Sequence, residues 1–144
     1  MKTINIKGKN YVPVVERLKE FRSSESFKNW SLETEWLSIT QEVATCRVII
    51  RDENGVLKST GTAMELRDEK SSLVNKTSHV ENAETSAVGR ALGNLGIGLD
   101  GDEVASYEEV SRAKKQQLIS SINSMVDERN RDEYEKEYKL SEIG

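Results

Sequence analysis

The chain has 144 residues, 32% charged and 35% apolar, with a formal net charge of −4. That length suits one compact domain with a modest core plus an appendage, and no run approaches the roughly 18 apolar residues a membrane span needs. Residues 1–100 balance 14 Lys and Arg against 14 Asp and Glu, while residues 101–144 carry 7 against 11; a nucleic-acid site in so neutral a body has to be a local basic groove.

The start, MKTINIKGKN, is basic but leads into no apolar stretch, so no secretory signal is expected and the expected location is the cytoplasm, that of a bacterial host if the chain is phage-encoded. YVPVVERLKEFRSS predicts a first helix, with Pro13 in its first turn and Val14, Val15, Leu18 and Phe21 at helical spacing. Three strands follow. In WSLETEW, Trp30, Leu32, Thr34 and Trp36 share one face, which favours a core role for both tryptophans over base stacking. EVATCRVIIRD is β-branched and contains Cys46, the single cysteine, read as a buried structural thiol; a disulfide framework or cysteine–zinc site is excluded. Asp52-Glu53-Asn54-Gly55 supplies a tight turn into VLKSTGTAMEL, where Gly61 marks a bulge or a close approach. After a polar connection over 67–76, a second helix runs from Thr77 or Ser78 to about Leu95. A third is expected from Ser106, with Tyr107, Val110, Leu118, Ile122 and Met125 as a thin apolar face, ending in an acidic tail. The predicted fold class is α+β: helix, three-stranded antiparallel β-meander, helix, then a C-terminal helical acidic tail. The expected division is a core domain at 1–103 and the helix and tail at 104–144.

The stretch SAVGRALGNLGIGLDGDE is dense in glycine. A P-loop would need Lys-Ser/Thr after its glycines, and a dinucleotide site would need them before the helix, not within and beyond it. Gly96, Gly98 and Gly101 fit a helix C-cap and turn. Gly89 and Gly93 lie one helical turn apart and, with Asn82, Ser86 and Arg90, form a stripe of small side chains beside one cation. Either the stripe packs on the sheet or a neighbouring subunit with Arg90 paired to an acid such as Glu84, or Arg90 stands in a groove and contacts phosphate.

NKTSHVENAETSAVGRALGNLGIGLDGDE resembles a motif of small phage recombination proteins of the Erf type. The order of YVPVVERLKEF, FKNWSLETEW, the Asn54-Gly55 hairpin and VGRALGNLG is similar to the core of Rad fifty-two-type annealing proteins, a β-β-β-α core, over roughly residues 10–100. The resemblance implies ATP-independent annealing of complementary single strands in phage recombination. It also implies assembly into homo-oligomeric rings or filaments, with single-stranded DNA in a basic groove between sheet and helix. Arg90 matches the groove arginine, with Gly89 and Gly93 as close-approach positions. Lys7, Lys9, Arg17, Arg22, Arg47, Arg51, Lys58 and Lys76 are the candidates to complete the groove. The alternative is an interaction or accessory protein that keeps the fold and binds a host or phage protein, for which the acidic tail offers a surface.

No catalytic set is assembled, so no enzyme, cofactor or metal is expected. His79 has no second imidazole and reads as a cap or an exposed residue. Asp100, Asp102 and Glu103 read as solvated acids in a glycine-rich turn.

Overall fold

The computed structural model describes residues 1–67, 78–99, 105–115, 117–118, 121–122 and 124–125. The chain forms two compact units, Met1–Glu109 and Val110–Gly144. In the second, the helical residues Leu118, Ile122 and Met125 are exposed.

The first unit opens with a short hairpin, β1 (Ile4–Ile6) and β2 (Lys9–Tyr11), which the sequence reading does not contain. Its two-residue turn places Lys7 at φ 49° and Gly8 at φ 85°, the type I′ geometry that matches strand twist. Helix α1 (Val14–Ser23) follows Pro13 directly. A 3-10 turn at Glu25–Phe27 leads into three antiparallel strands, β3 (Ser31–Ile39), β4 (Val43–Arg51) and β5 (Leu57–Leu66), in the order β3-β4-β5. Helix α2 spans Ser78–Asn94.

The predicted α+β class and meander hold. β4 alternates as expected for a sheet covered on one face: Ala44, Cys46, Val48 and Ile50 are buried, while Thr45, Arg47, Ile49 and Arg51 stand on the open face. Trp36 pairs with Cys46 and Leu32 with Ile50, so Leu32 and Trp36 share the inward face of β3. Trp30 and Trp36 pack on the core, and Trp30 stacks edge-on against Phe27. The core between sheet and helices is completed by Val14 and Phe21 of α1 and by Ala83, Ala87, Val88, Ala91 and Leu92 of α2.

The β4–β5 turn is the three-residue kind. The amide of Gly55 donates to the Asp52 carbonyl, the Asp52 amide donates to the Val56 carbonyl, and Gly55 takes φ 81°. That is a type I turn closed by a left-handed glycine, not a turn with Asn54 also left-handed.

Helix α2 ends in a Schellman motif: the Ile97 amide donates to the Leu92 carbonyl, the Gly96 amide to Gly93, and Gly96 sits at φ 102°. Ile97 and Leu92 are both buried in the core, supplying the apolar contact that accompanies this motif. The C-cap expected of Gly96 is therefore present, and Gly98 follows at φ 80°; Gly101 lies outside the described residues.

Candidate nucleic-acid interface

The expected groove between sheet and α2 is filled. Gly61 of β5 faces the α2 backbone so closely that a Cβ there would fall on Ala87 and Ala91. Ser59 Oγ donates to the Ala91 carbonyl at 2.6 Å. The small side chains of α2 are explained by neighbours within the same chain. A Cβ at Gly89 would lie 2.8 Å from Val14 Cγ2 and 3.7 Å from Ser106 Cβ, so the visitors are the start of α1 and the segment after α2. Gly93 is buried.

Arg90 is the second correction. Its Nη1 donates to the Thr62 carbonyl at 2.7 Å, and its Nε lies 3.4 Å from Glu109 Oε1. One turn on, Asn94 Nδ2 donates to the Thr60 carbonyl at 2.8 Å. Both carbonyls belong to edge strand β5, so Arg90 and Asn94 cover a sheet edge that would otherwise be open for pairing. The acid that pairs with Arg90 is Glu109, not Glu84.

Arg17, expected in the groove, is 1% exposed. Its Nη1 donates to the Gly89 carbonyl at 2.8 Å, and its aliphatic stem lies against Gly98. Burial draws its pKa below the ordinary arginine value, and the carboxylates of Glu109 and Glu108 act in the opposite direction. It is a core arginine joining α1 to α2. Glu108 also reaches the start of α1, accepting from the Val14 amide at 3.2–3.3 Å through its two oxygens. A carboxylate there suits the positive end of the helix dipole. Ser106 is fully buried and accepts from the Glu109 amide, capping the helical residues that begin at 107.

The remaining candidates are dispersed. Arg47 and Arg51 stand on the open sheet face, 3.9 Å from Glu35 and Glu33 respectively. Lys58 lies 3.7 Å from Asp52 in the hairpin loop. Lys7 and Lys9 belong to the N-terminal hairpin, and Arg22 lies on the exposed side of α1. Lys76, Asp100, Asp102 and Glu103 lie outside the described residues. His79 is neither a cap nor exposed: it is buried, and its Nε2 donates to the Thr40 carbonyl at 2.9 Å, tying α2 to the β3–β4 turn. Among the described residues no cluster of three His, Cys, Asp or Glu is placed to hold a metal, and no helix is long and apolar enough to cross a membrane. Cys46 is fully buried, its thiol pushed up to about 11 by that burial and by nearby Glu84.

Other exposed cations lie early in the chain. Residues 1–30 hold seven Lys and Arg against three acids, in a chain that is acidic overall. Six of the seven, Lys2, Lys7, Lys9, Lys19, Arg22 and Lys28, are exposed. Val15, Lys19 and Arg22 fall on one line along the outer face of α1, with Lys19 3.6 Å from Glu16 one turn earlier. Lys19 and Lys28 were not among the sequence candidates; Val15, expected on the apolar stripe, is exposed on the line of Lys19, and the buried face of α1 is Val14, Arg17 and Phe21.

A three-stranded antiparallel sheet with α1 before it, α2 after it and one face left open defines an α-β-β-β-α domain. The chain belongs to the Slr1353 N-terminal dsRNA-binding domain-like family, whose model matches residues 18–95. No curated protein and no solved structure matches it. The family match overturns the resemblance to Erf and Rad fifty-two-type annealing proteins. The residues that carried that resemblance, VGRALGNLG, are accounted for by packing: Gly89 against Val14, Arg90 and Asn94 on the β5 edge, and Gly96 in the cap.

Proposed function

We propose that this domain is a non-enzymatic module that binds double-stranded RNA by shape, through the exposed cations of α1. The observation that carries the reading is the pair of exposed cations Lys19 and Arg22 on one face of α1, in a chain of net charge −4 whose family is described as dsRNA-binding domain-like. Duplex RNA presents a wide, shallow minor groove lined by 2′-hydroxyls, with phosphates on either side, and domains of this kind span about 16 base pairs with little sequence preference. A short line of cations on a rigid helix suits that target. Annealing of single DNA strands rested on the overturned resemblance and has no other support.

The test is fluorescence anisotropy with an RNA duplex of about 20 base pairs, longer than the span of such domains, set against a DNA duplex and single strands of the same sequence. The RNA duplex is expected to bind best, and more weakly as salt rises, because each neutralised phosphate releases counterions. Replacing both Lys19→Glu and Arg22→Glu is expected to flatten the log–log salt slope by about 2. Equal binding to DNA single strands, or no salt-sensitive binding of the RNA duplex, contradicts the proposal.

A second reading, a protein-binding module, is favoured by one observation: Met64 and Leu66 are exposed on the open sheet face, Leu66 opposite Val43. A protein that ignores every nucleic acid in the same assay, yet loses a specific protein partner on Leu66→Glu, selects it.

A further inference from the structure

The N-terminal hairpin lies before the family match, which begins at residue 18. The first fifteen residues contain three lysines and no acid. One of them, Lys7, occupies the hairpin tip at φ 49°, a conformation that side chains other than Asn, Asp and Gly adopt at a cost. The turn does not need a lysine there, and an outlier of this kind is a reason to look for function at that position. The hairpin is braced: the Gly8 amide donates to Asn5 Oδ1, and Asn5 Nδ2 donates to Asn10 Oδ1. Tyr11 and Val12, at its base, are buried, and Pro13 passes directly into α1. The arm and α1 are therefore consecutive in the chain, joined by the buried Val12 and Pro13.

We infer that the β1–β2 hairpin is a second contact arm of the RNA-binding surface, with the Lys7 ammonium at its tip meeting a backbone phosphate of the duplex. This rests on the duplex-binding reading above and extends it beyond the matched domain. A lysine ammonium suits the task, since it is a compact point charge with freely turning donors and needs no base edge. The contact adds affinity without sequence preference.

The experiment uses the full chain and the RNA duplex of about 20 base pairs. Lys7→Gly removes the charge while suiting the positive φ, so a folding defect does not confuse the result. Lys7→Arg keeps the charge. The expected result is that Lys7→Gly melts no lower than wild type, binds the duplex several-fold more weakly, and flattens the salt slope by about 1. Lys7→Arg is expected to keep the wild-type slope. If wild type binds the duplex and Lys7→Gly matches it in affinity and slope, the inference is overturned while the α1 reading stands. If wild type does not bind the duplex, the α1 reading fails, and this inference fails with it.

Discussion

At Gly61, strand β5 and helix α2 are in backbone contact, and a single methyl has nowhere to go. Gly61→Ala is expected to cost about 1–3 kcal/mol, the usual penalty of overpacking, read from urea unfolding. A variant that unfolds with wild type contradicts the contact. Cys46 is the complementary case, a nucleophile removed from use. Its thiol value is raised to about 11, so the native protein holds almost no thiolate at mildly alkaline pH. A thiol reagent is expected to label Cys46 only as fast as the protein unfolds. Because the native value lies above the ordinary one, the associated stability is full below the usual thiol range. It is lost as pH rises through about 11.

Among the elements, the β4–β5 hairpin depends on one carboxylate. Asp52 accepts from the amides of Asn54 and Val56 at 2.9 and 3.0 Å. Its pKa is lowered, chiefly by the Val56 amide against some desolvation, and further by the Asn54 amide and Lys58. A depressed carboxylate stabilises above its unfolded value and stops doing so as pH falls through its native one. Asp52→Asn is therefore expected to melt below wild type at neutral pH, with the gap closing in acid. The Arg90–Glu109 pair calls for a double-mutant cycle. With Arg90 half exposed, the coupling is expected at about 0.2–1 kcal/mol. Arg90→Ala is expected to leave RNA affinity unchanged, since its guanidinium serves the β5 edge.

These elements also show what could be read beforehand. The meander was readable because alternation along β3 and β4 places Leu32, Trp36, Cys46 and Ile50 on one face, and a period of two has no other meaning at that length. The N-terminal hairpin was not, because three-residue strands fall below any periodic signal. The glycines of α2 announced a close approach but could not name the visitor. Spacing fixes the face of a helix and leaves its neighbour open, so Val14, Ser106 and the β5 edge needed coordinates. Arg17 hid for a related reason: a cation within an apolar stripe looks exposed until burial is measured.

Across the whole molecule, the sheet offers a second copy little to extend. Arg90 and Asn94 occupy the β5 edge. The β3 edge carries exposed Glu33 and Glu35 and a register break between Trp36 and Ser38, devices that discourage edge pairing. Combining Arg90→Ala with Asn94→Ala is expected to produce concentration-dependent association by light scattering, which wild type should not show. Residues 1–30 carry seven Lys and Arg against three acids, while residues 31–100 and 101–144 each carry seven against eleven, so the first thirty residues are the only basic part of the sequence.

The carboxylate of Glu108 closes on the amide of Val14, 94 positions earlier, and its neighbour Glu109 holds Arg90. Both carboxylates follow α2 in the linear order, so the start of α1 takes its acceptor from the far end of the domain. A chain ended after Ile97 would keep the apolar core and lose both carboxylates, leaving the Val14 amide without Glu108.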